Sequence, residues 1–167
     1  MAQDAVDFYL KIEGIDGESK KTGHENQIEI LSWGFGCSNA GTAGIGSGQS
    51  GAARVAMQDF NFMKYTDKSS PKLIQSMFEG KMVPSATLVG RRAGLKDGKA
   101  AKYMVWEMKN VVVSSHSLSG SGGGDLPSES FSLRFEEVSL KYKSIKAGAS
   151  EGAINGGWNL KTNKESA

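Results

Sequence analysis

The 167-residue chain carries 20 basic and 18 acidic side chains, 22 glycines, three prolines and one cysteine. Its length fits a single domain spanning residues 1–167 with a genuine hydrophobic core, and a net charge of +2 is too small for the basic footprint of a nucleic-acid binder. The lone Cys37 excludes an intramolecular disulfide and a cysteine-based metal site. No stretch has the build of an N-terminal secretory signal or approaches the roughly twenty apolar residues of a membrane span.

The first element is Val6 to Glu13, where Val6, Phe8, Leu10 and Ile12 alternate with polar or amphipathic residues, as in a half-buried strand. Gly14 and Gly17 around Asp16 close it in a turn, and Glu18 to Gly23 is a charged surface loop. A second strand runs from about Gln27 to Ser38. Ile28 and Ile30 share one face, but Leu31, Trp33, Phe35 and Cys37 fall on the opposite parity. The strand therefore either bulges near Ile30–Leu31 or passes from one packing environment to another. The same change of phase separates Val55 and Met57 from Phe60 and Phe62, and Phe131, Leu133 and Phe135 from Val138, Leu140 and Tyr142. Three such changes predict a strongly curved sheet closing toward a barrel, because bulges are how a sheet bends.

One helix interrupts the strands, at about residues 71–79. Ser70 is positioned to accept a hydrogen bond from a first-turn N–H, and Pro71 stands where a missing N–H costs nothing. Leu73, Ile74, Met77 and Phe78 recur at helical spacing, and Gly80 provides a left-handed stop. Further strands are expected at Ser85 to Arg92, Tyr103 to Ser114 and near Trp158 to Leu160. Glycine-rich loops occupy 41–51 and 119–124. The fold class is mainly β, a compact β-barrel of two antiparallel sheets with one flanking helix.

Chemistry is sparse. His24 sits in a charged loop, and His116, although flanked by Ser115 and Ser117, has neighbours that point to the opposite face of a strand and no orienting carboxylate close in sequence, so it reads as a polar strand-end residue. Cys37 shares its parity with Trp33 and Phe35 and is expected to be a buried, unreactive thiol. The loop at 44–51 lacks the lysine and the strand-to-helix setting of a phosphate loop. Two distant histidines do not make a metal shell, so no catalytic residue, cofactor or metal is assigned. A β-domain of this kind works by presenting surfaces. Ser32, Gly34, Gly36 and Ser38 stack four small residues opposite four large ones. Either the glycines admit the close approach of a neighbouring strand or ring, or the face is a smooth wall bordering a partner or a cavity.

Ordered segments along nearly the whole chain carry a family resemblance. They are Phe8 to Ser19, His24 with Ile28 to Gly34, Phe60 to Lys64 leading into Asp67 to Leu73, Arg92 to Gly94, Val111 to Ser115, Glu129 to Leu133 and Gly157 to Leu160. The chain resembles the Hcp (haemolysin co-regulated protein) family, which forms the inner tube of the bacterial type VI secretion system. The resemblance implies a non-enzymatic subunit of a six-membered ring. Such rings stack into a hollow tube, meet sheath and spike components, and carry or chaperone effectors in the lumen. It implies residence in the bacterial cytoplasm before firing and secretion to the outside or a target cell without a signal peptide, with no membrane insertion. Because the chain stops at Ala167 soon after its last expected strand, no C-terminal toxin extension is expected. Within this picture Ser32, Gly34, Gly36 and Ser38 face the lumen. Gly41, Gly44, Gly46, Gly48 and Gly51 belong to a loop that orders against the next ring. The competing expectation is a monomeric β-sandwich binding a glycan or peptide through exposed aromatics. Trp33, Trp106 and Trp158 sit in alternating patterns better explained by core packing.

Overall fold

The computed structural model describes residues 6–39, 55–92, 101–144 and 152–166. Twelve strands and one helix follow in the order β1 (Val6–Ile12), β2 (Ile28–Ile30), β3 (Ser32–Gly34), β4 (Cys37–Asn39), β5 (Val55–Met57), β6 (Phe60–Tyr65), α1 (Ser70–Glu79), β7 (Met82–Arg92), β8 (Ala101–Ser119), β9 (Ser128–Arg134), β10 (Glu137–Tyr142), β11 (Ile154–Asn159) and β12 (Lys164–Glu165). They form two antiparallel sheets. Ten strands make the large one, with the path β12-β11-β10-β8-β7-β1-β2 and a branch from β8 through β9 and β6 to β3; β4 and β5 pair only with each other.

All three phase changes are places where the chain leaves one strand partner and takes another. Leu31 separates β2, which pairs with β1, from β3, which pairs with β6. Gln58 and Asp59 separate β5 from β6, and Phe135 and Glu136 separate β9 from β10. The long β8 makes the same exchange without breaking. Residues 104–109 pair with β10 and residues 112–119 with β9, and between them Asn110 adopts a left-handed φ of 51°. Its side-chain amide donates to Glu136 Oε2 at 3.2 Å, the point where the two partner strands part. Pro84, which has no N–H to give, stands opposite Asn110 in the ladder between Val83↔Val111 and Ser85↔Lys109.

The expected barrel is not closed by hydrogen-bonded pairing. The run β2-β1-β7-β8-β9-β6-β3 ends in β2 and β3, successive pieces of one bent segment joined through Leu31 rather than laddered together. The expected strand from Gln27 to Ser38 is accordingly three strands in two sheets.

The core is built by the inward residues of this wrapped sheet with the helix against it. Leu10, Ile12, Ile28, Phe60, Phe62, Leu88, Met108, Phe131 and Leu133 are fully or almost fully buried, and Leu73 of α1 seals one side. Phe60 lies at the centre of an aromatic cluster, with ring centroids 5.0–5.6 Å from Phe62, Phe35, Trp106 and Trp33. Trp33 and Trp106 are thus packed against the core.

The helix begins one residue earlier than expected and by a different device. Ser69 occupies the cap position and makes no side-chain capping bond. The Ser70 hydroxyl turns back to accept from the Asp67 backbone N–H at 3.1 Å, and Asp67 Oδ1 accepts from the Ser69 N–H at 2.8 Å. Gly80 ends the helix as expected, with φ 59°. Leu73, Ile74 and Met77 face the protein, but Phe78 is 73% exposed, displaced from the buried stripe that Ser70, Leu73 and Ser76 define.

Candidate lumen and assembly surfaces

Strand β6 alternates without error: Phe60, Phe62 and Lys64 are buried while Asn61, Met63 and Tyr65 are exposed. Because β3 pairs on one side of it and β9, with β8 beyond, on the other, the outward residues form rows across four strands. One row is Gly34, Asn61, Ser132 and Ser115; the next is Ser32, Met63, Ser130 and Ser117. No residue in either row is charged. The rows border a shallow depression of about 320 Å³, and the Ser115 and Ser132 hydroxyls are hydrogen-bonded across the strands.

Of the four small residues expected on one face, Ser32 and Gly34 lie on this wall. A methyl group added at Gly34 would meet nothing within 4 Å, so the glycine leaves an open surface there rather than admitting a neighbour. Gly36 is the other case. It lies in the connector after β3, and a Cβ would fall 2.7 Å from the Gln58 side-chain oxygen, so a side chain covers it. Ser38 belongs to the separate β4–β5 ladder opposite Ala56. Gly41, Gly44, Gly46, Gly48 and Gly51 lie outside the described residues. Cys37 is exposed in β4, not buried, because the chain has left the core-facing strand before reaching it.

Beneath the wall is a buried charge cluster that residue-by-residue reading missed. The Lys64 side chain is wholly buried; its Nζ lies 2.6 Å from Glu129 Oε1 and 2.7 Å from Asp67 Oδ1. It also donates to the Tyr65 carbonyl at 3.0 Å and to Ser70 Oγ at 3.1 Å. His116 completes the group, with Nε2 3.7 Å from Glu129 Oε1 and its side chain almost fully buried. It is therefore an interior side chain beside the Lys64–Glu129 pair rather than a polar strand end. Ser115 and Ser117 point to the other face, as alternation requires, so no serine nucleophile addresses this imidazole. The cluster joins the end of β6 and the start of α1 to β9 and β8. The signal was in the alternation: Lys64 shares parity with Phe60 and Phe62, and Glu129 with Phe131 and Leu133.

His24 is likewise interior, stacked on Tyr9 at 4.6 Å, and its Nδ1–H donates to Gln27 Oε1 at 2.8 Å. Burial holds its pKa below the usual imidazole value, and the Gln27 hydrogen bond only partly offsets this.

A second surface lies where β1 and β2 diverge from the end of β6. It is a cleft of about 560 Å³ lined by Leu31, Tyr65 and Leu126, with Asp7, Glu18 and Glu29 among its borders. Among the described residues no helix is long and apolar enough to cross a membrane.

Residues 9–142 match the family model described as type VI secretion system effector, Hcp. The chain is 40% identical over 161 residues to the Hcp1 protein of Pseudomonas aeruginosa, covering 95% of this chain and 98% of that one. It superposes on the crystal structure of Hcp1 from Salmonella typhimurium with a TM-score of 0.78 at 34% identity, over 96% of this chain and 99% of the other. Against a structure described as a type six secretion system protein the TM-score is 0.85 at 30% identity, over 97% and 100%. With matches of this extent in sequence and in fold, the chain belongs to the Hcp family, the structural tube and effector proteins of type VI secretion.

Proposed function

We propose that this chain is the non-enzymatic subunit of a six-membered ring, that the rings stack into the inner tube, and that the serine-rich wall of β3, β6, β9 and β8 lines the bore. The observation that carries the reading is the wall itself: eight positions in two rows without a charge, of which Ser132 is buried under its neighbours and the other seven are partly or fully exposed, directly above a tightly packed interior. Exposed sheet faces of soluble proteins ordinarily carry charged side chains. A neutral hydroxyl surface suits a conduit, since it stays hydrated, holds no ion pairs with passing cargo and exerts no long-range field. Effector proteins are the proposed cargo, and sheath and spike components the other partners. The protein waits in the bacterial cytoplasm and leaves with the tube rather than through a signal-peptide route. The loop bearing Gly41, Gly44, Gly46, Gly48 and Gly51 is the proposed stacking element, and Gly36 and Ser38 precede it in the chain.

Sedimentation and negative-stain imaging of the purified protein test the ring. Closed rings at micromolar concentration are expected, and a monomer at every concentration refutes the reading. Gly34→Arg tests the wall. Because the position is open, rings should form normally while an effector co-expressed with the variant is no longer retained. Unchanged retention would remove the wall from the bore.

A further inference from the structure

The ten-stranded sheet has two flanks that differ in chemistry, and its register fixes their relative height. Pairings Ile30↔Phe8, Phe8↔Gly90, Gly90↔Met104, Met104↔Tyr142 and Tyr142↔Ile154 string six residues into one row across six neighbouring strands. The row begins at the cleft beside β2 and ends at β11. Five steps of about 4.8 Å make a path of roughly 24 Å along the curved sheet.

At the β2 end the cleft carries exposed apolar side chains, Leu31 at 50% and Leu126 at 68% exposure with Val6 and Tyr65 beside them. Asp7, Glu18 and Glu29 border it, and no lysine or arginine is among its described lining residues. At the β11 end Ile154 is 73% exposed and its cross-strand neighbour Tyr142 is 45% exposed. Of the described residues nearby, Lys143 follows Tyr142 and Lys141 precedes it, the latter paired with Glu107 at 3.2 Å. Strand β11 is also an unprotected edge. β12 pairs only with Trp158 and Asn159, and among the described residues no strand covers Ile154 to Gly156 on the side away from β10. That edge carries neither a charge nor a proline, the usual guards against unwanted pairing.

From these observations we infer that the cleft beside β2 is the ring contact that receives the β11 flank of a second copy of this chain, with Ile154 and Tyr142 against Leu31 and Leu126 and Lys143 facing Glu29. The inference rests on the ring reading above and adds its contact surfaces. Opposite flanks of unlike charge make a head-to-tail contact. Such a contact closes into a ring when the rotation from one copy to the next divides a full turn.

Charge exchange tests it. Glu29→Lys and Lys143→Glu should each raise the concentration at which half of the rings dissociate by about tenfold or more, and the double variant should recover most of the loss. Ile154→Ser should weaken rings comparably. All three positions are exposed, so thermal unfolding of the dissociated variants should match that of the parent. If the parent forms rings and every variant forms them equally well, the contact lies elsewhere and the ring reading stands. If the singles weaken the ring but the double variant shows no recovery, the pairing of the two flanks is overturned. A parent that is monomeric throughout overturns both.

Discussion

Phe60, Phe62 and Lys64 point from β6 into the protein, while Asn61 and Met63 point from the same strand to its outer wall. Phe60 touches four other aromatic rings, and Lys64 makes four polar contacts with no exposure. Across the backbone, the Gly34 and Asn61 row borders open space. One face specifies the fold, since every inward group there has its volume and partners fixed. The other is not constrained by packing in the same way, since an added methyl at Gly34 meets nothing within 4 Å. The difference teaches that substitutions a few ångströms apart along one strand should separate cleanly into those that destroy the domain and those that alter only its surface.

The largest effects should come from the inner face. Phe60→Ala should cost about 3–5 kcal/mol of stability, because it leaves a cavity where four rings converged. Lys64→Ala should cost a similar amount, about 3–5 kcal/mol, by stranding Glu129 as an uncompensated buried carboxylate. The two can be told apart by urea unfolding of second-site variants. Lys64→Met combined with Glu129→Leu should recover much of the loss, since the second change removes the stranded charge, whereas no change at Glu129 should rescue Phe60→Ala.

A middle-sized effect is expected at His24, which belongs to the buried side although its loop is polar. Its folded-state pKa is depressed by burial, so the unfolded chain binds the proton more readily. Its contribution is therefore complete above the unfolded value of about 6.5 and is lost as pH falls through the folded value. Denaturant midpoints measured from pH 8 downward should decline across this window. His24→Gln should be weaker at neutral pH, where the Tyr9 stacking is lost, and should show a flatter decline. A parallel decline in both proteins would place the acid sensitivity in other groups.

The smallest effects belong to the outer wall. Gly34→Ala and Ser130→Ala should shift stability by no more than about 0.5 kcal/mol, the ordinary range for surface positions, since Gly34 has open space beside it and Ser130 is exposed. A loss near 2 kcal/mol at either would mean that the wall is a structural face of the domain.

The alternation of β1 and β6, the helix with its Gly80 stop and the interior packing of Trp33 and Trp106 were legible in the sequence, because each follows from residues within a few positions of one another. The three phase changes were also visible, but not their meaning. A slip of parity says only that the face changes, and the same pattern serves a bulge or an exchange of partner. The misread residues share this cause. Cys37 was placed by the parity of a strand that had already ended, and Phe78 by helical spacing that did not say which arc of α1 meets β8. His116 seemed to lack a carboxylate because Glu129 reaches it across the β8–β9 pairing and not along the chain.

By itself, then, the sequence determined which side chains seek the interior and where local turns and the helix must fall, since periodicity and backbone chemistry act over a few residues. Only the tertiary structure decided which strands pair and in what register. That choice assembled Lys64, Glu129 and His116 into one buried group, set the serines of β8 and β9 in rows with Ser32 and Gly34 across β6, and put two unlike flanks at opposite ends of one cross-strand row. Pairing between distant strands depends on the packing of the whole sheet against its core, a sum over contacts that no single segment contains.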